Sequence, residues 1–193
     1  MLLGLTGGIA TGKSTVSTIF KERQIPVVDA DVIAHQVVAV GSTGLKQVVT
    51  QFGKQLLNAD GSLNRTELGR IVFNDSKKLA KLNQIMQPLI KTEIQHQVEQ
   101  LKLNHDLIIL DAPLLFEQGY DKSVDQIMVV SVPAPMQLQR LMERDHIDRS
   151  QATAKIQSQM SLDKKVAKAT IVIDNSGTVS ETKQQVLQWL NTR

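Results

Sequence analysis

The stretch Gly4-Leu-Thr-Gly-Gly-Ile-Ala-Thr-Gly-Lys-Ser-Thr-Val16 constrains this chain more than any other. Within it, Gly7, Gly12, Lys13 and Ser14 fall at the spacing glycine, four residues, glycine, lysine, hydroxyl, which is that of a phosphate-binding loop. Gly7, Gly8 and Gly12 permit backbone angles and close approach that a side chain would forbid. Consecutive N–H groups can then turn inward as an anion nest, and a helix starting near Gly12 aims its positive end at the same place. Lys13 brings a full charge to the outer phosphates, and Ser14 offers a hydroxyl to Mg²⁺. The four fixed positions arise by chance in roughly one such chain in a hundred, so the flanks must decide. Leu2-Leu3-Gly4-Leu5 is an apolar run readable as a buried strand, and Thr15 to Arg23 carries Val16, Ile19 and Phe20 at helical spacing. Strand, glycine loop and helix are the required order.

The 193 residues suffice for one good-sized domain with small insertions. Hydrophobic content of 41% and charged content of 21% describe a globular protein. The absence of cysteine excludes disulfides and a thiolate zinc site. No apolar run approaches membrane-spanning length, and the first one is broken by the glycine loop and lacks a basic leader. A cytoplasmic protein is expected. The net charge of +3 is mild, yet Met136 to Lys168 holds seven Lys/Arg against four acids, an excess equal to that of the whole chain. A local positive field suits an anionic ligand. Nucleic acid is disfavoured, since 3% aromatics leaves few stacking platforms.

Further along, Ile25-Pro-Val-Val-Asp-Ala-Asp31 reads as a strand ending in two carboxylates, followed by a helix from Ile33 to Val40. Ser42-Thr43 caps a helix with Leu45, Val48, Val49 and Phe52 on one face. Asn58 to Gly61 is a turn. Arg65 to Leu103 reads as two or three helices, the last opened by Pro88; this block interrupts the strand–helix alternation and is taken as an insertion. Leu107–Leu110, Ile127–Val132 and Ile171–Ile173 are further strands, and helices begin at Pro135, near Ser150 and at the capping box Thr178/Glu181. Five apolar strands between helices imply an α/β protein with a parallel sheet covered on both faces. Ligands of such sheets collect beyond the carboxyl ends of the strands. The glycine loop, Asp29/Asp31 and Asp111 each follow a strand and are expected to converge there.

These residues set the chemistry. Transfer of a phosphoryl group to an alcohol needs a carboxylate that positions the hydroxyl and takes its proton. One of Asp29 and Asp31 fits that role; the other can cap the next helix or hold water on Mg²⁺. Asp111, closing an apolar strand, is where a metal is held through water. Glu117 reads as a surface or substrate-positioning group. Arg140 and Arg144, at i and i+4 on one helix, repel slightly unless an anion lies between them, though Glu143 and Asp145 could neutralise them. His35, His96, His105 and His146 are scattered without metal-ligand spacing.

Taken together, the sequence resembles the dephospho-coenzyme A kinase family nearly end to end. The matching segments are Gly4–Thr15, Val28–His35, Asp60–Arg65 with Leu68 and Phe73, Leu82-Asn83 with Pro88–Ile90, Asp111–Glu117, Arg140–Asp145 and Val172–Gly177. The resemblance implies a P-loop nucleotide kinase fold whose five-stranded parallel sheet is flanked by helices. It implies a nucleotide-binding core of residues 1–57, 104–135 and 163–193, a helical CoA-substrate domain of 58–103 and a small helical lid of 136–162. The activity implied is transfer of the γ-phosphoryl of ATP to the ribose 3′-hydroxyl of dephospho-CoA, with ATP as co-substrate and Mg²⁺ as cofactor. On this resemblance Gly7, Gly8, Ala10, Thr11, Gly12, Lys13, Ser14 and Thr15 bind ATP, and Ser14 touches Mg²⁺ with Asp111 acting through water. Asp31 is the base, Lys13, Arg140 and Arg144 stabilise the migrating charge, and Arg65 helps hold the substrate with Asp31 and Asp111. Neither nucleic acid nor membrane is an expected partner, and a monomer is expected with oligomers left open. Gln87 stands where the family usually has histidine, Thr170 where it usually has aspartate, and Ala10 at a frequent glycine. The rivals are another small-molecule kinase of this architecture, a nucleotide-dependent switch and a basic nucleic-acid binder; a guanine switch is disfavoured because no Asn-Lys-x-Asp occurs.

Overall fold

The computed structural model describes residues 1–72 and 75–192, so Phe73 lies outside the described residues. The chain divides into two compact units, Met1–Val28 with Leu101–Arg193, and Asp29–Gln100.

The first unit is built on a five-stranded sheet of β1 (Leu2–Gly7), β2 (Val27–Asp29), β3 (Ile108–Asp111), β4 (Gln126–Ser131) and β5 (Ile171–Asp174). Its spatial order is β2-β3-β1-β4-β5. β1 runs parallel to β3, with Leu5 opposite Asp111, and parallel to β4, with Gly7 opposite Val130; β4 in turn runs parallel to β5. Every residue of β1 and of β3 is buried, as strands covered on both faces must be. Leu3 and Leu5 share one core with Val16, Ile19 and Phe20 of α1 (Lys13–Glu22) and with Val186 of α9 (Val179–Asn191). Trp189 meets Phe20 edge to face, with centroids 6.1 Å apart and planes at 86°. On the other face Gly4 leaves room for Leu115 and Val124. α6 (Ala134–Asp145), α7 (Arg149–Gln157) and α8 (Leu162–Ala167) follow β4. Two expected starts are realised in detail: Asp148 and Gln151 form a capping box on α7, and Thr178 and Glu181 form one on α9.

The second unit is helical. α2 (Ala30–Gln36), α3 (Thr43–Phe52), α4 (Arg65–Val72) and the long α5 (Ser76–Lys102) supply it. Its core joins Val38, Leu45, Val48, Leu56, Leu63, Leu68 and Val72, with Leu79, Leu82 and Ile85 against them. Ser42 caps α3 as expected, its hydroxyl accepting from Leu45 N–H at 3.1 Å. Pro88 does not open a helix; it lies inside α5. Interior proline costs about 3 kcal/mol through a lost N–H and a clash one turn back. Beyond it Ile90, Ile94 and Val98 are all buried at four-residue spacing, and three such side chains contribute about 1.5–3 kcal/mol each, enough to carry the helix through. Among the described residues no helix is long and apolar enough to cross a membrane.

Candidate active site

The loop after β1 is shaped by two left-handed residues. Ala10 has φ 60° and Gly12 φ 85°. At Gly12 no side chain could be accommodated in any case, because a Cβ would run into the Asn175 amide. Gly8 is needed for close approach: a Cβ there would lie 2.5 Å from Gln137 Nε2. The turn is closed from within by Thr11, whose N–H and hydroxyl both donate to Gly8 O, at 3.2 and 2.9 Å.

From outside, the loop's carbonyls are taken up one after another. Lys165 Nζ donates to Gly7 O at 3.3 Å, Gln137 Nε2 to Ile9 O at 2.9 Å, and Asn175 Nδ2 to Thr11 O at 2.8 Å. A peptide is planar and trans, so its C=O and the following N–H point opposite ways. Drawing the Ile9 and Thr11 carbonyls outward therefore aims the N–H groups of Ala10 and Gly12 to the other side. Among the described residues the N–H groups of Ala10, Gly12, Lys13 and Ser14 have no acceptor. Those of Lys13 and Ser14 are the first of α1 and carry the partial positive charge of a helix start. The result is a cup of amide donors suited to a polyphosphate. Ile9 N–H is the exception, donating to Gln159 Oε1 at 3.1 Å.

Lys13 is ion-paired with Asp111 Oδ1, its side chain 19% exposed and that of Asp111 4%. The register explains the meeting: Asp111 ends β3 directly beside Leu5 of β1, the strand that leads into the loop. The two sequence candidates are thus brought together in one unit. Arg140 Nη1 donates to Asn175 O at 3.0 Å, and so is joined to Thr11 through Asn175. Arg144, on the same helix face, instead pairs with Asp145 at 2.8 Å; Lys155 takes the other oxygen at 2.7 Å. With these two cations donating to it, the Asp145 carboxyl falls to about 2.

Asp29 and Asp31 are distinguished by geometry. Asp29 Oδ1 accepts from the N–H groups of Asp31 and Val32 at 2.9 and 3.1 Å, so Asp29 is the cap of α2. Asp31 is exposed in the first turn of that helix. Arg65, the first residue of α4, reaches His35 O at 3.5 Å near the other end of α2. Thr170, at the departure from the usual aspartate, still serves as an acceptor, its hydroxyl taking the Ile127 N–H at 3.1 Å.

Glu117 lies at the surface, as expected, but its side chain is also engaged inward. Its Oε1 is 3.0 Å from the fully buried Lys165 Nζ and accepts from Met160 N–H at 2.9 Å. Burial pushes the Lys165 ammonium below the ordinary lysine value, with Glu117 opposing the shift. Gln137, Gln159 and Lys165 also escaped sequence reasoning, and Asn175 entered it only within a matching segment. Lysine and glutamine ordinarily mark solvated faces, and only the fold reveals that these reach the loop.

The family model described as CoaE, dephospho-CoA kinase, matches residues 1–181. A dephospho-CoA kinase of Bacillus cereus is 46% identical over 187 residues, covering 96% of this chain and 94% of its own. One from Lactobacillus johnsonii is 43% identical over 185 residues, covering 95% and 93%. The solved dephospho-CoA kinase from Campylobacter jejuni superposes with a TM-score of 0.77 at 28% identity, covering 98% of this chain and 95% of its own. With a glycine loop set in a five-stranded sheet and these matches along nearly its full length, the chain belongs to the dephospho-CoA kinase family.

Proposed function

We infer that the protein is a dephospho-CoA kinase, transferring the γ-phosphoryl of ATP to the ribose 3′-hydroxyl of dephospho-CoA to give CoA and ADP, the last step of coenzyme A synthesis. The match along residues 1–181, in a chain whose glycine loop carries a Lys13 paired with Asp111, supports this most directly. In the reaction the 3′-oxygen forms a bond to Pγ as the bond from Pγ to the bridging oxygen of ADP breaks. The hydroxyl proton passes to a carboxylate.

The roles are proposed residue by residue. Gly7, Gly8 and Ala10 to Thr15 form the loop that holds the triphosphate, with the N–H groups of Ala10, Gly12, Lys13 and Ser14 as its donors. Lys13 follows the charge on the migrating phosphoryl. Asp31 is the base, because Asp29 is already committed as a helix cap. Arg140 and Arg144 add positive charge from the lid of residues 136–162, and Arg65 in the helical block 58–103 helps hold the CoA moiety. Residues 1–57, 104–135 and 163–193 make up the nucleotide core in this scheme. The Ser14 hydroxyl and Asp111 carboxylate form an all-oxygen pair suited to Mg²⁺, which takes one or two protein ligands and completes its shell with phosphates and water. When bound it would neutralise β- and γ-phosphate charge. A cytoplasmic monomer acting on small molecules is the setting proposed.

Incubation with ATP, Mg²⁺ and a panel of acceptors, followed by mass detection, tests this. Dephospho-CoA alone should gain one phosphoryl group efficiently; preference for a nucleoside or nucleotide would overturn it. Asp31→Asn should cut turnover on the order of 10²–10⁴-fold, the usual worth of a general base, with ATP affinity nearly intact. Near-normal turnover would remove Asp31 from the role.

A further inference from the structure

Among the described residues Lys165 is the only lysine or arginine buried completely. Its three ammonium hydrogens meet three acceptors: Pro113 O at 2.7 Å, Glu117 Oε1 at 3.0 Å and Gly7 O at 3.3 Å. These belong to different segments. Gly7 opens the phosphate loop, Pro113 lies two residues past Asp111, and Glu117 lies further along that turn. Lys165 itself stands on α8. The Pro113 carbonyl also accepts from Thr6 Oγ1 at 3.1 Å, tying the two strand ends together. The same Glu117 oxygen takes Met160 N–H, next to Gln159, whose amide oxygen holds Ile9 of the loop.

Such a post is a poor route to stability. Moving an ammonium into the interior costs several kcal/mol, and an apolar side chain of equal volume often serves stability as well or better. What an apolar residue cannot do is orient carbonyls. We propose that Lys165, paired with Glu117, is a positioning residue for phosphoryl transfer. By holding the Gly7 carbonyl it fixes the point where β1 passes into the phosphate loop, and by holding Pro113 it fixes the turn that presents Asp111 to Lys13. A neutral amine has only two hydrogens and would leave one of the three segments unheld. This rests on the assignment of the loop and Asp111 to the triphosphate.

The test is steady-state kinetics, with both substrates varied, on Lys165→Met, Glu117→Gln, the double variant and Lys13→Ala, each with a thermal melt. Misplacement by about 1 Å costs on the order of 10²-fold in rate, so folded Lys165→Met should lose roughly that in kcat while the KM for dephospho-CoA stays within about twofold. Glu117→Gln should lose less with the same split, and the double variant should be no slower than Lys165→Met. Wild-type kcat in a folded single variant, with only its Tm lowered, would overturn the proposal, as would independent, multiplying losses. If Lys165→Met does not fold, Glu117→Gln decides alone: unchanged kcat overturns, a kcat loss at constant acceptor KM supports. Activity in Lys165→Met with none in Lys13→Ala refutes the positioning role only. Full activity in both refutes the loop assignment beneath it.

Discussion

Replacing Gly12 by alanine should destabilise the protein through two separable effects. Gly12 holds φ 85° and ψ 26°, and an L-residue in that region costs about 1–2 kcal/mol. The new Cβ would also enter the space of the Asn175 amide. Asn175 is 7% exposed; it donates to Thr11 O at 2.8 Å and accepts from Thr182 Oγ1 at 2.7 Å. Pushing that amide aside breaks both bonds in a dry place, at about 1–3 kcal/mol. The sum is about 2–5 kcal/mol, which for a chain of this size lowers Tm by about 2–4 °C per kcal/mol, on the order of 10 °C in all. The single tryptophan reports it directly, since Trp189 packs on Phe20 of the helix that Gly12 caps. In an Asn175→Ala background the obstruction is gone and only the backbone cost should remain, so a double-mutant cycle should give a coupling of about 1–3 kcal/mol. Additivity within about 0.5 kcal/mol would refute the shared space and with it the reason for a glycine beyond its φ.

Ala10→Gly should do the reverse. It relieves left-handed strain of about 1–2 kcal/mol against about 0.4–1 kcal/mol of added unfolded-chain entropy, so Tm should hold or rise slightly; a clear fall would show that the Ala10 methyl packs usefully. Asp145, depressed to about 2 by Arg144 and Lys155, should stabilise the native state fully above the unfolded carboxyl value near 3.8 and lose that contribution as pH falls toward 2. Carboxyl NMR should place its titration below those of other aspartates, and Lys155→Met should raise it; a midpoint near 4 in the intact protein would contradict the pairing. Excess EDTA should abolish phosphoryl transfer without changing the melting of the ligand-free protein, and transfer that persists would rule out the Mg²⁺ role given to Ser14 and Asp111.

What could be read in the sequence was local. The glycine loop, the strand ahead of it and the caps at Ser42 and Thr178 are set by residue types a few positions apart. Pro88 misled because its cost is local while the compensating burial of Ile90, Ile94 and Val98 is not. Asp29 and Asp31 are equivalent as letters; only the bonds from Asp31 and Val32 N–H to Asp29 separate cap from candidate base. Glu117 and Lys165 are far apart in sequence and each resembles a solvated charge until α8 brings them together. The meeting of Lys13 with Asp111 likewise follows from strand order, with β3 beside β1, which no spacing in the sequence specifies.

That strand order also governs how the molecule must be made. β1 precedes the other four strands of the sheet along the chain, yet its neighbours on both sides, β3 and β4, are synthesised only after the entire helical segment 29–100. Closing so long a loop is entropically costly and slows assembly. Until Ile109 and Met128 emerge, Leu3 and Leu5 have no ladder to join, and a nascent chain carries an apolar strand with two open edges, the state most prone to wrong association. The helical segment has its own core from Val38 to Met86, so it can fold during that wait, leaving the pairing of β1 with β3 and β4 to be completed last.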